Sequence, residues 1–312
     1  MNSLVLASLS LPNLVSRLPG GVAQGIIWGI MALGVYITFR LLDVADLTVD
    51  GSFTTGGAVT VMLIIAGWPA WAALLAAVVA GLLAGLVTGL LHTKLGIPAI
   101  LAGILTQFAL YSINLRIMSM KANTPVNPDK YSLFLTLRSV PGAIWKGLLL
   151  AAVLIALLYW YFGTEQGSAI RSTGANPAMS RAQGININAM KVLGLSLSNG
   201  MVALSGGLMA QYQGFADINM GRGAIVIGLA AVIIGEVIFG KIFRNFALKL
   251  LSVGIGSVIY YIVMQICIWF KIDTDLLKML SAIVVAIFLA VPYWKAKYFT
   301  RVAVKKGGSS NA

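Results

Sequence analysis

The sequence is poor in charge, in histidine and in cysteine, and each shortage excludes a class of protein. Only 10% of its 312 residues are charged, whereas soluble domains carry about a quarter, so a soluble globular protein is excluded. One histidine and one cysteine are too few for a His or Cys metal site or for a disulfide framework. A Ser-His-Asp triad would depend on His92, which stands beside Lys94 at the end of an apolar segment and is interpreted as an interfacial histidine.

The sequence also lacks a phosphate-binding loop of the form GxxxxGK followed by Ser or Thr, so no ATP site of that kind is expected. We therefore expect no enzyme and no cofactor in this chain. The net charge of +13 would suggest nucleic acid in a soluble protein. Here the basic residues stand in loops and in a terminal cluster, which favours anchoring against anionic membrane lipid and excludes nucleic acid. That cluster is Lys295, Lys297, Arg301, Lys305 and Lys306.

Long apolar runs are what the sequence has in abundance. It is 59% hydrophobic, with a mean hydropathy of +0.92, and several runs are long enough to cross a bilayer as helices. We predict an all-α fold, a polytopic transmembrane helical bundle of about nine spans, with a range of about eight to ten. An N-terminal segment 1–20, a membrane domain 21–294 and a basic tail 295–312 are expected. The spans are 21–39, a second ending near 67, 70–91, 97–115, 143–162, 192–209, 224–239, 246–270 and 276–294.

An acidic cluster follows the first span. Asp43, Asp46 and Asp50 would share one face if this stretch were helical, because their spacings are three and four. Acidic groups at membrane depth normally line a bundle interior or a water-filled cavity. We predict a broken or re-entrant element near residues 40–56 that lines a solute path. The alternative is a position at headgroup level, with Asp50 or Ser52 capping the next helix, and capping is expected of at least one aspartate.

Polar residues within the apolar spans are the other path candidates, although each is first expected to hydrogen-bond between helices. The selected path residues are Asp46, Thr48, Asp50, Ser52, Gln107 and Asn114. Other polar residues in apolar surroundings are Gln24, Thr54, Thr55, Asn199 and Gln265. Gly81, Gly85 and Gly89 recur every four residues and predict a face for close helix packing rather than a site.

The longest polar passage is 163–191, GTEQGSAIRSTGANPAMSRAQGININAMK. It must lie outside the bilayer, since unpaired backbone groups cannot face lipid. Asn176 followed by Pro177 is typical of an N-cap with proline at the first helical position, so we predict a short capped helix. By itself this pattern fits an ordinary capped loop as well as a docking element. Three glycines are expected to act as breaks: Gly167, Gly174 and Gly184.

Four passages resemble, in order, motifs of the permease subunits of ABC importers, the family of the ribose-type sugar and branched-chain amino acid permeases. DLTVDGS (46–52) is similar to the sugar permeases' DLSVGS with Asp50 as an extra residue. GLVTGLLHTKLGIPAILAGILT (85–106) resembles a Gly-rich helix turning into an Ile-Pro-led one. GSAIRSTGANPAMSRAQGINI (167–187) resembles the cytoplasmic loop that contacts the ATPase, and NMGRGAIVIGLAAVIIG (219–235) the late Gly-rich membrane segment. The wording LTVDGSF is more similar to the branch of tryptophan or tyrosine uptake.

The resemblance implies a permease subunit of an ATP-driven importer, which forms the translocation path for an aromatic or branched-chain amino acid by alternating access. A sugar or nucleoside permease is the alternative, and a stand-alone secondary transporter or channel is a further one. The implied partners are a separate ABC ATPase subunit that binds ATP-Mg, an extracytoplasmic solute-binding protein and a second permease chain, forming a homodimer. The implied location is the bacterial plasma (inner) membrane, with a cytoplasmic C-terminus.

Within this resemblance, 163–191 is the ATPase-coupling loop, and a weak excess of basic residues on its side agrees with a cytoplasmic location. DINMGR (217–222) is the expected contact of the binding protein. Glu236 stands where many relatives have glycine, for which the sequence offers no reason. The coupling residues implied are Arg171, Gly174, Asn176, Pro177, Met179, Arg181 and Gly184.

Overall fold

The computed structural model describes residues 11–240, 242–243, 245–270 and 276–294. The predicted basic tail 295–312 lies outside the described residues, as do residues 1–10 of the predicted N-terminal segment. The expected boundary between residues 20 and 21 falls inside the first described helix, which contains Pro19.

The described chain is 79% helical. The helices are α1 Leu11–Tyr36, α2 Thr48–Ile65, α3 Ala70–Thr93, α4 Ala99–Ile117, α5 Val140–Gly163, α6 Glu165–Ala175, α7 Pro177–Ala182, α8 Ile187–Gln213, α9 Ala224–Phe239, α10 Phe246–Trp269 and α11 Leu277–Trp294. A π-helical turn, Ile37–Leu41, extends α1, and a 3-10 turn, Leu137–Ser139, precedes α5. Two short strands, β1 Asn123–Pro125 and β2 Phe215–Asp217, pair antiparallel.

Seven of the described helices are long and apolar enough to cross a membrane, namely α1 with its π-turn, α2, α3, α4, α5, α8 and α10. The apolar helix α9 has 16 residues, and α11 contains the shorter apolar stretch Met279–Phe288. These nine helices coincide with the nine predicted spans, apart from a few residues at the ends. The predicted all-α polytopic bundle is therefore confirmed, because runs of apolar residues of this length have few alternatives to a membrane helix.

Contacts between connecting segments define two ends of the bundle. We call the end at which the helices α6 and α7 lie the arm end. There His92 Nε2 lies 3.2 Å from Lys191 Nζ. At the other end, which we call the strand end, β1 pairs with β2. There Arg138 donates hydrogen bonds to Asp129 and holds the pKa of this exposed carboxyl below its usual range. The described connecting segments between α1 and α10 alternate between the two ends, as they would in a chain that crosses a membrane repeatedly.

The centre of the bundle is α8, which α1, α2 and α3 surround. Close approach to α3 depends on its glycine face. A Cβ atom added at Gly81 or Gly85 would collide with a carbonyl oxygen of α8, and one at Gly89 would lie 2.8 Å from Val192 Cα. The predicted packing role of this face is confirmed, since only a helix without side chains there can lie this near its neighbour.

Candidate functional site

The chain is non-helical between the π-turn and α2, at residues 42–47. Asp46 lies near the end of this break, two residues before α2. It is 2% exposed, its Oδ1 accepts from the Thr48 backbone N–H at 2.9 Å, and its Oδ2 accepts from Asn199 Nδ2 at 2.6 Å. Ser52 Oγ donates to Asn199 Oδ1 at 2.6 Å. The predicted broken element near 40–56 is thus confirmed at 42–47, and the small residues that follow lie inside the continuous helix α2.

The three aspartates do not share a face, because the helical stretch on which that expectation depended is not formed. The stretch between them is not helical, so the spacing rule for helices does not apply. Asp43 is exposed, with a φ of 54°, Asp46 turns into the bundle, and Asp50 lies on α2.

Asp50 caps a helix that is remote in sequence. Its Oδ2 accepts from the Gly223 backbone N–H at 2.9 Å, and its Oδ1 accepts from the Ile225 N–H at 3.0 Å. These N–H groups begin α9 and have no partners within that helix, and a carboxylate is favoured there by the helix dipole. The prediction that an aspartate acts as a cap is confirmed, but Asp50 caps α9 rather than α2. Before α2, Asp46 accepts from the Thr48 N–H two residues further on.

A cavity of about 450 Å³ lies between α2, α4 and the loop before α9. It brings together three predicted path residues, Asp50, Gln107 and Asn114. Its apolar wall includes Phe108, which is 72% exposed, and Ile218. The polar lining is formed by Asp50, Thr54, Gln107, Tyr111, Asn114 and Arg222.

Sequence reasoning missed Tyr111 and assigned Arg222 to an outer contact surface. A signal for Tyr111 was available, since it stands four residues after Gln107 and three before Asn114, on one face of a helix. The placement of Arg222 carried no local signal. The loop that contains it packs onto α2, where a Cβ atom at Gly221 would collide with the backbone of Asp50.

The remaining path residues, Asp46, Thr48 and Ser52, do not line this cavity. The hydroxyls of Thr48 and Thr88 are 2.7 Å apart, and Thr88 Oγ1 donates to Thr106 Oγ1 at 2.9 Å. These contacts join α2, α3 and α4 in the buried interior. They are interhelical hydrogen bonds of the kind first expected of polar residues in the spans.

The polar passage forms two helices at the arm end. In α7, Asn176 Oδ1 accepts from the Met179 N–H at 3.0 Å, and Pro177 is the first helical residue. The predicted capped helix is therefore confirmed. Met179 is 58% exposed, and Arg181 is also exposed. Helix α7 therefore presents one apolar and one basic side chain away from the bundle.

The prediction that Gly167 and Gly174 are breaks is wrong, because both lie inside helix α6. Only Gly184 behaves as predicted, with a φ of 81° in the turn after α7. Gly174 permits close contact instead, because an added Cβ atom would collide with the Leu41 carbonyl oxygen. We call α6 and α7 together, Glu165–Ala182, the arm. The arm also touches α10, where the Arg171 guanidinium lies 5.5 Å from the ring centre of Phe246.

The structure supplies a role for Glu236. Its Oε1 lies 2.8 Å from Arg40 Nε, so this ion pair joins α9 to the π-turn at the arm end. Both side chains are partly exposed, and such pairs contribute about 1 kcal/mol or less.

Comparisons with known proteins agree with this architecture. Residues 18–291 match the family described as branched-chain amino acid transport system / permease component. A tyrosine transport system permease protein of Clostridioides difficile (strain R20291) is 41% identical over 274 residues, which cover 86% of this chain and 89% of that protein. An uncharacterized protein of Rickettsia prowazekii (strain Madrid E) is 36% identical over 271 residues, covering 86% of this chain and 94% of the relative.

A shorter similarity involves a nucleoside ABC transporter permease protein, NupC, of Lactococcus lactis subsp. cremoris (strain MG1363). It is 35% identical over 81 residues, which are 25% of this chain and 23% of that protein. No solved structure matches the chain. The family match covers most of the spans, the break at 42–47 and the arm. The chain is therefore a multi-pass membrane protein that belongs to the branched-chain amino acid transport system permease family of ABC-type transporters.

Proposed function

We propose that this chain is the translocation subunit of an ATP-driven importer and that its solute is an aromatic amino acid. The observation that carries the proposal is the arm, whose capped helix α7 exposes Met179 and Arg181 at one end of the bundle. The chain itself contains no phosphate-binding loop. Energy then has to enter from an ABC ATPase subunit that binds ATP-Mg, and the exposed residues of α7 are the docking surface for it.

The arm is suited to carry force into the bundle because it is short, capped and firmly packed. Helix α6 contacts the π-turn at Gly174 and α10 through Arg171. Displacement of α7 would press on the turn that precedes the break at 42–47. A break of this kind can adopt two discrete arrangements, which is what alternating access requires. The coupling residues are Arg171, Gly174, Asn176, Pro177, Met179, Arg181 and Gly184.

The cavity supports a second copy of the chain as a partner. It opens between α2 and α4 with Asp50 and Arg222 in its lining, and hydrocarbon is a poor environment for such charges. By contrast, Leu149, Val153 and Leu157 form an exposed and purely apolar strip on α5, as lipid contact requires. A homodimer that pairs across the cavity would enclose the charged groups in a shared path.

The arm end is then cytoplasmic, together with the C-terminus, and the strand end faces an extracytoplasmic solute-binding protein at the bacterial plasma membrane. Two observations support an aromatic amino acid as the solute, namely the extended similarity to a tyrosine transport system permease protein and the aromatic residues Phe108 and Tyr111 at the cavity. The short similarity to a nucleoside permease favours a nucleoside as the second candidate.

Charge reversal at Arg181 tests the docking role. In the transporter reconstituted with its ATPase and binding protein, Arg181→Glu should retain ATP hydrolysis but lose most uptake of tritiated L-tyrosine, because an acidic side chain then replaces the basic one that the docking surface presents. The matched control is Lys94→Glu, an exposed basic residue at the same end of the bundle but outside the arm, which should leave both activities intact. Normal uptake by the Arg181 variant would remove the docking assignment, and uptake by the chain alone in liposomes would favour a stand-alone transporter.

A further inference from the structure

Among the described residues, one polar atom of a side chain that lines the cavity lacks a hydrogen-bond partner. Asn114 is 0% exposed, and its Nδ2 donates to the Gly51 carbonyl oxygen at 3.4 Å. This bond assigns the amide orientation and leaves Oδ1 as a buried acceptor without a hydrogen bond. Leaving a buried acceptor unpaired is costly, and most buried polar atoms in native proteins have a hydrogen-bond partner from the protein, an ordered water or a bound group. Asn114 is one of the residues that line the cavity, and a donor on a ligand bound there would give this acceptor its partner.

The cavity also carries charges of both signs that do not neutralise each other. Asp50 uses each carboxylate oxygen for one backbone N–H of α9, and a carboxylate has about four acceptor positions, so further acceptor positions remain. Arg222 lines the same cavity, is exposed, and forms no ion pair with any residue in the described part of the chain. No direct Asp50–Arg222 pair is present among the described residues, and a ligand can therefore bridge the two charges.

We propose that this cavity binds the head group of a zwitterionic α-amino acid, with Asn114 and Asp50 receiving the ammonium and Arg222 receiving the carboxylate. The inference rests on the proposed function and assigns its solute site within this chain. An ammonium is a pure donor and fits the unpaired amide oxygen and the carboxylate, whereas an α-carboxylate fits the forked donors of a guanidinium. The ring of the side chain would lie against Phe108 and Tyr111, which stand beside the polar groups on α4.

A nucleoside fits this set less well. It has neither an ammonium nor a carboxylate, so Arg222 and the remaining positions of Asp50 would both stay without charged partners. Discrimination by such a site is strong, because a ligand that lacks one of the charged groups leaves a protein group unpaired. The two head-group contacts can thus be examined one at a time, with ligands that lack one or the other.

The test pairs each side chain with one ligand group. Purified full-length chain in lipid nanodiscs is assayed by equilibrium binding of tritiated L-tyrosine, competed by tyramine, which lacks the carboxylate, and by 3-(4-hydroxyphenyl)propionate, which lacks the ammonium. The unmodified chain should prefer L-tyrosine to each analogue by about ten-fold or more, as for other charged hydrogen bonds. Arg222→Gln should lose the preference over tyramine only, and Asn114→Leu should weaken the preference over the propionate only.

Matched controls separate the site from general effects. Arg116→Gln, also on α4 but outside the cavity lining, and Gln265→Leu, on α10, should keep both preferences. Asn114→Asp retains the shape of the side chain and should strengthen selection for the ammonium. It tests the same contact if the leucine variant does not fold.

Each outcome decides a different point. Variants that keep both preferences overturn the site. The same holds if the chain binds no L-tyrosine while the complete transporter imports it, although the proposed function then stands. If the complete transporter imports no amino acid at all, the proposed solute is wrong and the site falls with it.

Discussion

At the scale of single residues, the buried aspartates show how a charge is used inside an apolar bundle. Asp46 and Asp50 each bind backbone N–H groups at the start of a helix, α2 and α9 respectively. A carboxylate at such a place is stabilised by groups that would otherwise be unpaired. The third aspartate, Asp43, is exposed and has no comparable role.

Removing the Asp50 carboxylate should destabilise the protein. Asp50→Ala leaves the Gly223 and Ile225 N–H groups without their acceptors and should cost about 3 kcal/mol of unfolding free energy, since each lost charged bond is worth about 1.5–3 kcal/mol. Asp50→Asn retains one acceptor oxygen and should cost about half as much. Thermal unfolding of the purified chain in detergent measures both.

The matched control is Asp43→Asn. Asparagine tolerates a positive φ as well as aspartate does, and this exposed change should stay within about 0.5 kcal/mol of the parent. Equal melting temperatures for the Asp50 and Asp43 variants would contradict the capping role.

At the scale of elements, two short helices explain why these caps are needed. Helix α2, with 18 residues, is the shortest of the seven helices that are long enough to cross a membrane, and α9 has 16 residues. At about 1.5 Å per residue, both lie below the average hydrocarbon thickness of about 30 Å. Each begins inside the bundle, where water cannot satisfy its first N–H groups. The arm has the opposite arrangement, since α7 lies at one end of the bundle. Its N-cap, Asn176, is the residue directly before it in the sequence.

The contact between the arm and the π-turn should be sensitive to a single methyl group. Gly174→Ala would push α6 away from Leu41, where the added carbon collides with a carbonyl oxygen. Overpacking of this kind costs about 1–3 kcal/mol. In the reconstituted transporter we expect ATP hydrolysis to continue while uptake falls several-fold, because the arm then no longer moves with the turn.

Gly163→Ala is the control for that experiment. It lies at the end of α5, and an added carbon there meets nothing within 4 Å, so coupling and stability should be unchanged. If Gly174→Ala supports uptake as well as Gly163→Ala does, the arm does not act through this contact.

At the scale of the whole molecule, two exposed surfaces of the described bundle differ in polarity, one on α5 and one on α4. The strip on α5 is apolar throughout, whereas the exposed face of α4 surrounds a cavity that contains charge. Helix α4 packs mainly against α2 and α3 within the chain, and its other side is free to meet a second copy. Closed two-fold pairing would place the same α4 residues opposite one another.

Cross-linking should reveal this pairing. In a Cys267→Ser background, Phe108→Cys should form a covalent dimer in native membranes treated with a short thiol cross-linker, because the proposed homodimer would bring the two copies of α4 together. Leu149→Cys, which is 68% exposed on α5, should remain monomeric under the same conditions. Dimers formed through Leu149 and not through Phe108 would place the interface on the other side of the bundle.

The bundle, its nine apolar segments, the glycine face of α3 and the capped helix after Asn176 could all be predicted before folding. These features depend on neighbouring residues: the length of an apolar run, a spacing of four, or an N-cap beside a proline. Four features became visible only in the folded chain: the aspartates separate, Asp50 caps α9 from 173 residues away, Glu236 pairs with Arg40, and Arg222 and Asn114 line one cavity. A chain that folds back through the bilayer brings distant polar groups together, and their partners are selected by packing rather than by any local pattern.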